Sequence, residues 1–193
     1  WENDTTYTYP KKYNEEVEVK ADPTKEGYTF AGWTSAEVKV ENGKFTMPAK
    51  NVTLTAKWNI NKYTVTWKND DGSVLRTDKN VEYGTMPNYG ANPTKAADAQ
   101  YTYTFKGWTP EVETVTGDAT YKATYTKEAN TYTLTYDLDG GEWENDTTYT
   151  YPKKYNEEVE VKADPTKEGY TFVGWMSAEV EVVNGKFTMP AKD

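Results

Sequence analysis

Closely spaced carboxylates are the first residues in this chain of 193 residues whose spacing could support chemistry. Residues 137–142 (DLDGGE) and residues 69–72 (NDDG) bring together side chains of the kind that ligate calcium. Both segments follow a predicted strand, where Asp, Asn and Gly are ordinary turn residues, and neither has the spacing of an EF-hand loop. We therefore interpret both segments as turns and predict neither a metal nor a cofactor.

Paired glutamates are the second candidate, because two carboxylates can act as general acid and base in hydrolysis. The residues in question are Glu15, Glu16, Glu18, Glu111 and Glu113. They lie on short alternating segments that favour a solvated face, and nothing around them marks a cleft. The chain also lacks Cys and His, which excludes a thiolate nucleophile, a Ser-His-Asp triad and a zinc site of the Cys or His type. We predict that the chain is not an enzyme and has no catalytic residue.

Aromatic side chains are the third candidate, since the chain contains 17 Tyr and 7 Trp and exposed rings can anchor a partner. Trp33, Trp108 and Trp175 recur at one position of an alternating strand, which predicts a place in the core. Surplus tyrosines without such a place are Tyr7, Tyr9 and Tyr13. For these we leave open a surface that binds host glycans or glycoproteins.

Charge and hydropathy exclude other partners. The net charge is -9 and the isoelectric point is near 4.7, which argues against binding nucleic acid or an anionic membrane through bulk charge. No apolar run approaches the roughly 20 residues that a membrane-spanning helix needs, so we predict no membrane insertion of this segment.

Internal repetition dominates the organisation of the chain. Residues 1–51 recur at 143–193, and residues 1–30 are identical to 143–172. The five differences are Ala31 to Val173, Thr34 to Met176, Lys39 to Glu181, Glu41 to Val183 and Asn51 to Asp193. A diverged relative lies between the two copies, where residues 93–95 repeat the Pro-Thr-Lys of 23–25.

These matches predict three repeat units, at 1–60, 61–129 and 130–193. The first lacks the opening strand that residues 63–67 supply to the second unit. The third lacks the closing strand that residues 52–58 supply to the first unit. Short polar joints at 59–62 and 127–130 should restrict motion between units and give an elongated array.

Alternation with a period of two predicts strands at 52–58, 63–67, 101–108 and 119–125, and an edge strand at 15–20. Asn42-Gly43 predicts a hairpin over 38–47 with a type I′ turn, which pairs Glu41 with Lys44 and Val40 with Phe45. Two of the five differences between the copies, at 39 and 41, then fall on a face that meets water. Helical signal is poor, and only residues 95–100 could form about one turn.

The repeated motifs resemble a known family. They are PTKEGYTFxGW at 23–33 and 165–175, and MPAKNVTLTAKW at 47–58. This pattern resembles the Listeria–Bacteroides repeat, the internalin B-type repeat, over essentially the whole chain, and the middle unit resembles a diverged form of it. The resemblance implies tandem small β-grasp-like modules, mainly β and α+β at most, on secreted or wall-anchored bacterial proteins. It carries over no catalytic or ligand-binding residue.

Near-identical copies suit a function that scales with array length, which an enzyme does not need. We therefore expect a non-catalytic segment of a bacterial surface or secreted protein, located outside the cell and acting as the stalk or spacer of an adhesin. The alternative is that the units themselves bind host glycans or glycoproteins. Incomplete units at the two ends also predict head-to-tail self-association by strand addition.

Overall fold

The protein, described by a computed structural model over residues 7–192, is built from short β-strands. The strands are β1 (Glu16–Glu18), β2 (Tyr28–Thr34), β3 (Lys44–Thr46), β4 (Thr55–Ile60), β5 (Lys62–Lys68), β6 (Val74–Glu82), β7 (Tyr101–Thr109), β8 (Ala119–Ala129), β9 (Thr131–Thr135), β10 (Thr150–Lys154), β11 (Glu158–Glu160) and β12 (Lys186–Thr188). Residues 7–192 contain no helix, and so none long enough to cross a membrane. The prediction of a mainly β protein is confirmed.

The strands form small sheets. One sheet has four strands in the order β6-β5-β8-β7, and β1-β3, β2-β4, β10-β9 and β11-β12 form two-stranded sheets. By its internal contacts the chain divides into two compact units, Trp1–Gly90 with Trp108–Lys122, and Ala91–Gly107 with Ala123–Asp193. The finer division into three repeats stays a prediction.

The core of the first unit surrounds strand β5, which pairs antiparallel with β6 and parallel with β8. Val65 and Trp67 alternate with polar neighbours on β5 and are fully buried. The Trp67 ring contacts Trp108 and Tyr121, with centroids 4.7 and 5.0 Å apart. Its indole N–H donates to Asp78 at 2.8 Å. This bond satisfies the only polar atom of the buried ring, which would otherwise lack a hydrogen-bond partner.

The second unit has a smaller core, in which Val159, Phe187 and Met189 are buried and Tyr132 and Leu134 pack against them. Val159 lies opposite Phe187 in the β11-β12 ladder. The first unit repeats this ladder in β1 and β3, where Val17 lies opposite Phe45. The two near-identical segments therefore fold this ribbon in the same register.

The predicted strands are largely confirmed. Residues 63–67, 101–108 and 119–125 lie within β5, β7 and β8, and residues 15–20 contain β1. The strand predicted at 52–58 is shifted toward the C-terminus, because its ladder with β2 runs from Thr55 to Ile60.

The hairpin prediction is correct at its turn and wrong beyond it. Asn42 and Gly43 have φ of 50° and 76°, and Glu41 and Lys44 exchange both backbone hydrogen bonds at 2.9 Å, as a type I′ turn requires. Val40 does not pair with Phe45, because no strand forms over 38–40 and β3 joins β1 instead. The prediction that positions 39 and 41 meet water is confirmed, since both are exposed.

The helical turn predicted at 95–100 is wrong. The Asp98 carboxylate accepts the backbone N–H groups of Gln100 and Tyr101, at 2.8 and 2.7 Å. A side chain that bonds the backbone two and three residues ahead stabilises a turn in competition with a helix.

The three recurrent tryptophans, predicted to lie in the core, are half-buried and pack against other rings. The ring centroids of Trp33 and Phe30 are 5.4 Å apart, and those of Trp175 and Tyr136 are 4.9 Å apart. Trp108 packs on the core of the first unit.

Candidate functional site

The most distinctive constellation in the structure is a pair of asparagines, each of which joins two sheets through a single residue. Asn61 lies between β4 and β5, and Asn130 lies between β8 and β9. We call these residues the connector asparagines. A one-residue connection leaves the chain little freedom unless its backbone groups are unsatisfied, so the hydrogen bonds of these residues decide how firmly the sheets are joined.

Both backbone groups of each connector asparagine are hydrogen-bonded, and their partners adjoin two different sheets. The Asn61 N–H donates to the Gly27 carbonyl at 2.9 Å, and its carbonyl accepts the Tyr83 N–H at 2.9 Å. Gly27 precedes β2 and Tyr83 follows β6, so Asn61 extends the β2-β4 ladder and the β5-β6 ladder at once.

Asn130 repeats this arrangement in the second unit. Its N–H donates to the Gln100 carbonyl at 2.9 Å, and its carbonyl accepts the Tyr155 N–H at 2.8 Å. Gln100 precedes β7 and Tyr155 follows β10. Two connections with different flanking sequences therefore use the same backbone geometry.

The side-chain amide explains why asparagine fits this position. The Thr29 hydroxyl donates to the Asn61 amide oxygen at 2.7 Å, and the Thr102 hydroxyl donates to that of Asn130 at 2.8 Å. The Asn130 amide nitrogen also donates to the Asp98 carbonyl at 2.7 Å. Both asparagines are half-buried, where an amide without partners would destabilise the fold.

An aromatic ring covers each connection. A Cβ atom added to Gly27 would lie 2.1 Å from the Tyr83 ring, so this ring rests directly on the Gly27 backbone. The Tyr83 hydroxyl donates to Glu26 at 2.5 Å, and this bond raises the pKa of the Tyr83 phenol. At the second connection the Tyr155 ring meets Tyr101 edge to face, with centroids 5.5 Å apart.

Charged groups at the second connection stabilise it less than the backbone hydrogen bonds do. The Lys154 ammonium pairs with Glu128 at 2.9 Å, and this bond lowers the pKa of the Glu128 carboxyl. The Lys127 ammonium lies 3.9 Å from the centre of the Tyr101 ring. Both contacts are exposed to solvent, so each contributes little beside the backbone bonds.

The carboxylates at 137–142 and 69–72 lie in turns, as predicted. Asp137 accepts the Asp139 N–H at 3.0 Å, and the Asp139 carboxylate lies 3.3 Å from the Lys167 ammonium. In the other turn Asp71 accepts the N–H and the hydroxyl of Ser73, at 2.8 and 2.6 Å. Across residues 7–192 no three His, Cys, Asp or Glu side chains are grouped as a metal site would need.

The glutamates considered for acid–base catalysis have structural partners instead. Glu15 accepts the Lys12 N–H at 2.9 Å and pairs with Lys11 at 3.0 Å, and the bond from Lys12 is the main cause of its lowered pKa. A catalytic acid needs the opposite shift. Glu16 pairs with Lys44 at 2.9 Å. Glu18, Glu111 and Glu113 are exposed.

The surplus tyrosines behave differently in the two copies. Tyr7, Tyr9 and Tyr13 expose 76, 39 and 73% of their surface. Their identical counterparts are Tyr149, Tyr151 and Tyr155. Tyr151 lies on β10 opposite Leu134, and Tyr155 covers the second connection. The same sequence therefore packs two of these three rings, those of Tyr151 and Tyr155, where β9 lies beside it, whereas Tyr149 still exposes 40% of its surface.

Sequence reasoning identified the joints at 59–62 and 127–130 as short and polar but missed the role of the asparagines. A signal was present, because Asn61 and Asn130 both stand two residues before the aligned tyrosines Tyr63 and Tyr132. The backbone partners lie about 20 to 35 residues away in sequence, so the spacing of residue types alone could not reveal them.

Comparison with known proteins identifies the class. Residues 4–62 match the family model described as the divergent InlB B-repeat domain, and residues 132–192 match that of the Listeria-Bacteroides repeat domain. These two segments therefore carry repeats of the Listeria–Bacteroides family, which confirms the resemblance there, and the divergent model matches the first segment and not the middle unit.

Individual relatives agree with this assignment. Internalin H of Listeria monocytogenes is 40% identical over 98 residues, which cover 49% of this chain and 16% of the relative. A protein of Evansella cellulosilytica, provisionally named a membrane protein, is 32% identical over 171 residues, or 85% of this chain and 25% of the relative. The chain thus spans a quarter or less of the length of these relatives.

One solved structure is a distant neighbour. It contains streptococcal high identity repeats in tandem, SHIRT domains 3–4, from a cell surface protein. It shares 15% sequence identity, covers 62% of this chain and 81% of its own, and has a TM-score of 0.29.

Gly27 and Gly169 provide a matched test of the ring that covers the first connection. Their φ angles are 74° and 79° and their flanking residues are identical, but only Gly27 has a ring against it. We expect Gly169→Ala to cost about 1 kcal/mol from the left-handed backbone alone. Gly27→Ala should cost clearly more, because Tyr83 must move.

The measurement is amide hydrogen exchange at Tyr28 and Tyr170, whose N–H groups donate at 3.0 Å to Lys25 and Lys167 in equivalent turns. We expect a larger loss of opening free energy at Tyr28 in Gly27→Ala than at Tyr170 in Gly169→Ala. Equal losses would show that the ring contact does not stabilise the connection.

The second connection should be sensitive to acid through Asp98. Its carboxylate accepts the Tyr103 hydroxyl and two backbone N–H groups, and these bonds, the Tyr103 bond foremost, hold its pKa below the ordinary value of 3.8. A lowered pKa gives stability that is present above pH 3.8 and is lost as the pH falls further, through the pKa of the folded state. We expect Asp98→Asn to weaken this dependence on pH.

The acid transition can be followed by NMR at the Asn130 amide, which reports the connection directly. In Asp98→Asn the chemical shift of the Asn130 amide should depend less on pH below 3.8 than in the unchanged protein. Asp22→Asn, a substitution of an exposed carboxylate in the other unit, serves as the control and should keep the original profile. An unaltered profile in Asp98→Asn would refute the assignment.

Proposed function

We propose that this chain is a non-catalytic stalk or spacer segment of a bacterial surface adhesin, whose repeats resist bending at their connections. The observation that carries the proposal is the pair of connector asparagines. A connection of one residue whose N–H and C=O are both bonded cannot rotate without breaking two hydrogen bonds. A spacer needs this property, whereas an enzyme or a ligand-binding domain does not.

The relatives support a place outside the cell. One relative is named an internalin, and two relatives from Evansella cellulosilytica are named membrane proteins. The acidic net charge suits a segment that must stay soluble in an array of repeats. We infer that the parent protein is secreted or attached to the cell wall.

Stiffness at the first connection can be measured by distance distributions between spin labels, because the chain has no native Cys. Labels at the exposed positions Lys39 and Lys79 lie on either side of Asn61 within the first unit. We expect one narrow distribution in the parent chain. Asn61→Gly should broaden it, since it removes the amide bond from Thr29 and frees the backbone.

The control is Asn156→Gly, because Asn156 already has φ of 64° and lies outside both connections. It should leave the distribution unchanged. Labels at Lys106 and Glu181 test Asn130→Gly in the same way within the second unit. A broad distribution in the parent chain would overturn the spacer proposal.

A second function is favoured by one groove, so we also propose glycan binding as the alternative. A groove of about 470 Å³ in the second unit is lined by Trp143, Asp146 and Lys162, among others. The Trp143 ring stacks on Tyr149, with centroids 5.9 Å apart and planes 18° apart. Aromatic faces beside carboxylates are groups that can stack on and hydrogen-bond a sugar ring.

A glycan array together with mucin binding separates the two functions. Saturable binding that is lost in Tyr149→Ala and kept in Tyr170→Ala would support the groove, because both tyrosines are exposed and only Tyr149 stacks on Trp143. Absence of binding across the array would overturn the glycan alternative.

A further inference from the structure

The strands that adjoin the two connector asparagines lie side by side in one sheet. Strand β5 begins directly after Asn61, and strand β8 ends directly before Asn130. They are neighbours in the four-stranded sheet, and their ladder is parallel. The ladders β1-β3, β2-β4, β5-β6, β9-β10 and β11-β12 are antiparallel. The pair through which the chain enters and leaves the four-stranded sheet therefore differs from these ladders in the direction of its strands.

The direction of the strands decides how a pull along the chain acts on them. Such a pull enters β5 at Lys62 and leaves β8 at Ala129. In a parallel pair the start of one strand and the end of the other lie at opposite ends of the ladder. The pull therefore slides β5 along β8 and loads all of their hydrogen bonds at once. In the antiparallel β5-β6 ladder Lys62 lies opposite Glu82, so a pull on these two residues opens that ladder one pair at a time.

The parallel ladder is reinforced at the end where the chain enters β5. The ladder pairs residues 65–68 with residues 119–122. One residue before its first pair, the Asp118 carboxylate accepts the backbone N–H of Thr64 at 2.7 Å. A hydrogen bond to an ionised carboxylate is stronger than one between neutral groups. This bond therefore extends the contact between the two strands by one residue at the point where the pull is applied.

Buried side chains oppose sliding of β5 along β8. Trp67 lies directly opposite Tyr121 in the ladder, and the centroids of the two rings are 5.0 Å apart. Both side chains are buried, and so is that of Val65. A shift of one residue would turn Tyr121 away from Trp67, because successive side chains of a strand point to opposite faces of the sheet. Sliding must therefore disrupt the aromatic core together with the ladder.

We propose that the β5-β8 pair is the element of this chain that resists tension, a clamp that a pull along the array loads in shear. This inference rests on the proposed spacer function, because a spacer that holds an adhesin at the cell surface transmits every pull on that adhesin. The two proposals can fail separately. Spin-label distances report bending without load, whereas the clamp concerns the force that unfolds the sheet.

Resistance to force is a different quantity from thermodynamic stability. Forced unfolding is governed by the rate at which the fold opens, and so by the contacts that must break before the barrier is crossed. Under shear those contacts are the β5-β8 hydrogen bonds and the packing of Trp67 on Tyr121. Loss of a contact between β5 and β8 should therefore lower the unfolding force more than an equal loss of stability elsewhere in the core.

The first experiment pulls single molecules in two directions, through handles on introduced cysteines, because the chain has no native Cys. Both forms carry Lys62→Cys. The second handle is attached through Lys122→Cys, at the far end of the parallel ladder, or through Glu82→Cys, opposite residue 62. All three positions are exposed.

At one loading rate we expect the 62/122 form to unfold at roughly twice the force of the 62/82 form or more, because shear loads the hydrogen bonds together. Equal forces in the two directions would overturn the proposal. Both forms lose the Lys62 side chain, so the comparison is not affected by the loss of its ion pair with Glu82.

The second experiment removes one contact between β5 and β8 in the 62/122 form. Asp118→Ala deletes the acceptor of the Thr64 N–H, and Asp118→Asn keeps an acceptor. The control is Val81→Ala, which removes packing against the core from β6, away from the β5-β8 ladder. The free energy of unfolding of each variant is measured in denaturant, so that the loss of force can be compared with the loss of stability.

For the same loss of stability, Asp118→Ala should lower the unfolding force more than Val81→Ala, and Asp118→Asn should keep most of the force of the parent. In the 62/82 form Asp118→Ala should change the force less than in the 62/122 form, because the bond to Thr64 does not hold β6. Losses of force that follow stability alone in both variants would show that the pair is not a clamp, and so would equal losses in the two directions.

Discussion

Each connector asparagine carries two backbone hydrogen bonds to partners beside two different sheets, and the architecture depends on them. Sheets of two strands are marginal in water because they bury little surface. At Asn61 and Asn130 the ladder of one sheet passes directly into the ladder of the next. A small sheet therefore gains the stability of its neighbour without a large shared core.

The small size of the sheets also explains why the cores are built from aromatic residues. A thin module offers few buried positions, so each of them must bury much surface in one side chain. Trp67 does this in the first unit, where it contacts Trp108, Tyr121 and Tyr89. Tyr136 has the corresponding place in the second unit, among Trp143, Tyr151 and Trp175. Edge-to-face packing supplies direction as well as burial, which two short strands need to hold their register.

The parts of this fold that the sequence predicts are those set by neighbouring residues. The Asn42-Gly43 turn and the strand at 63–67 are of this kind, because turn chemistry and alternation act locally. The pairing of β3 with β1 is different, because β1 is distant in sequence and Val17 comes to lie opposite Phe45 only in the folded ladder. The role of Asn61 could not be predicted for the same reason, because its backbone partners, Gly27 and Tyr83, are distant in sequence.

Comparison of the two near-identical copies distinguishes structure set by the local sequence from structure that depends on a neighbouring strand. The two near-identical segments keep the same turn at Lys25–Tyr28 and Lys167–Tyr170, and the same pair of a phenylalanine and a tryptophan ring just beyond it, although only one copy has a strand alongside. Local sequence thus sets the shape of the edge, and the neighbour adds the ladder and covers the rings.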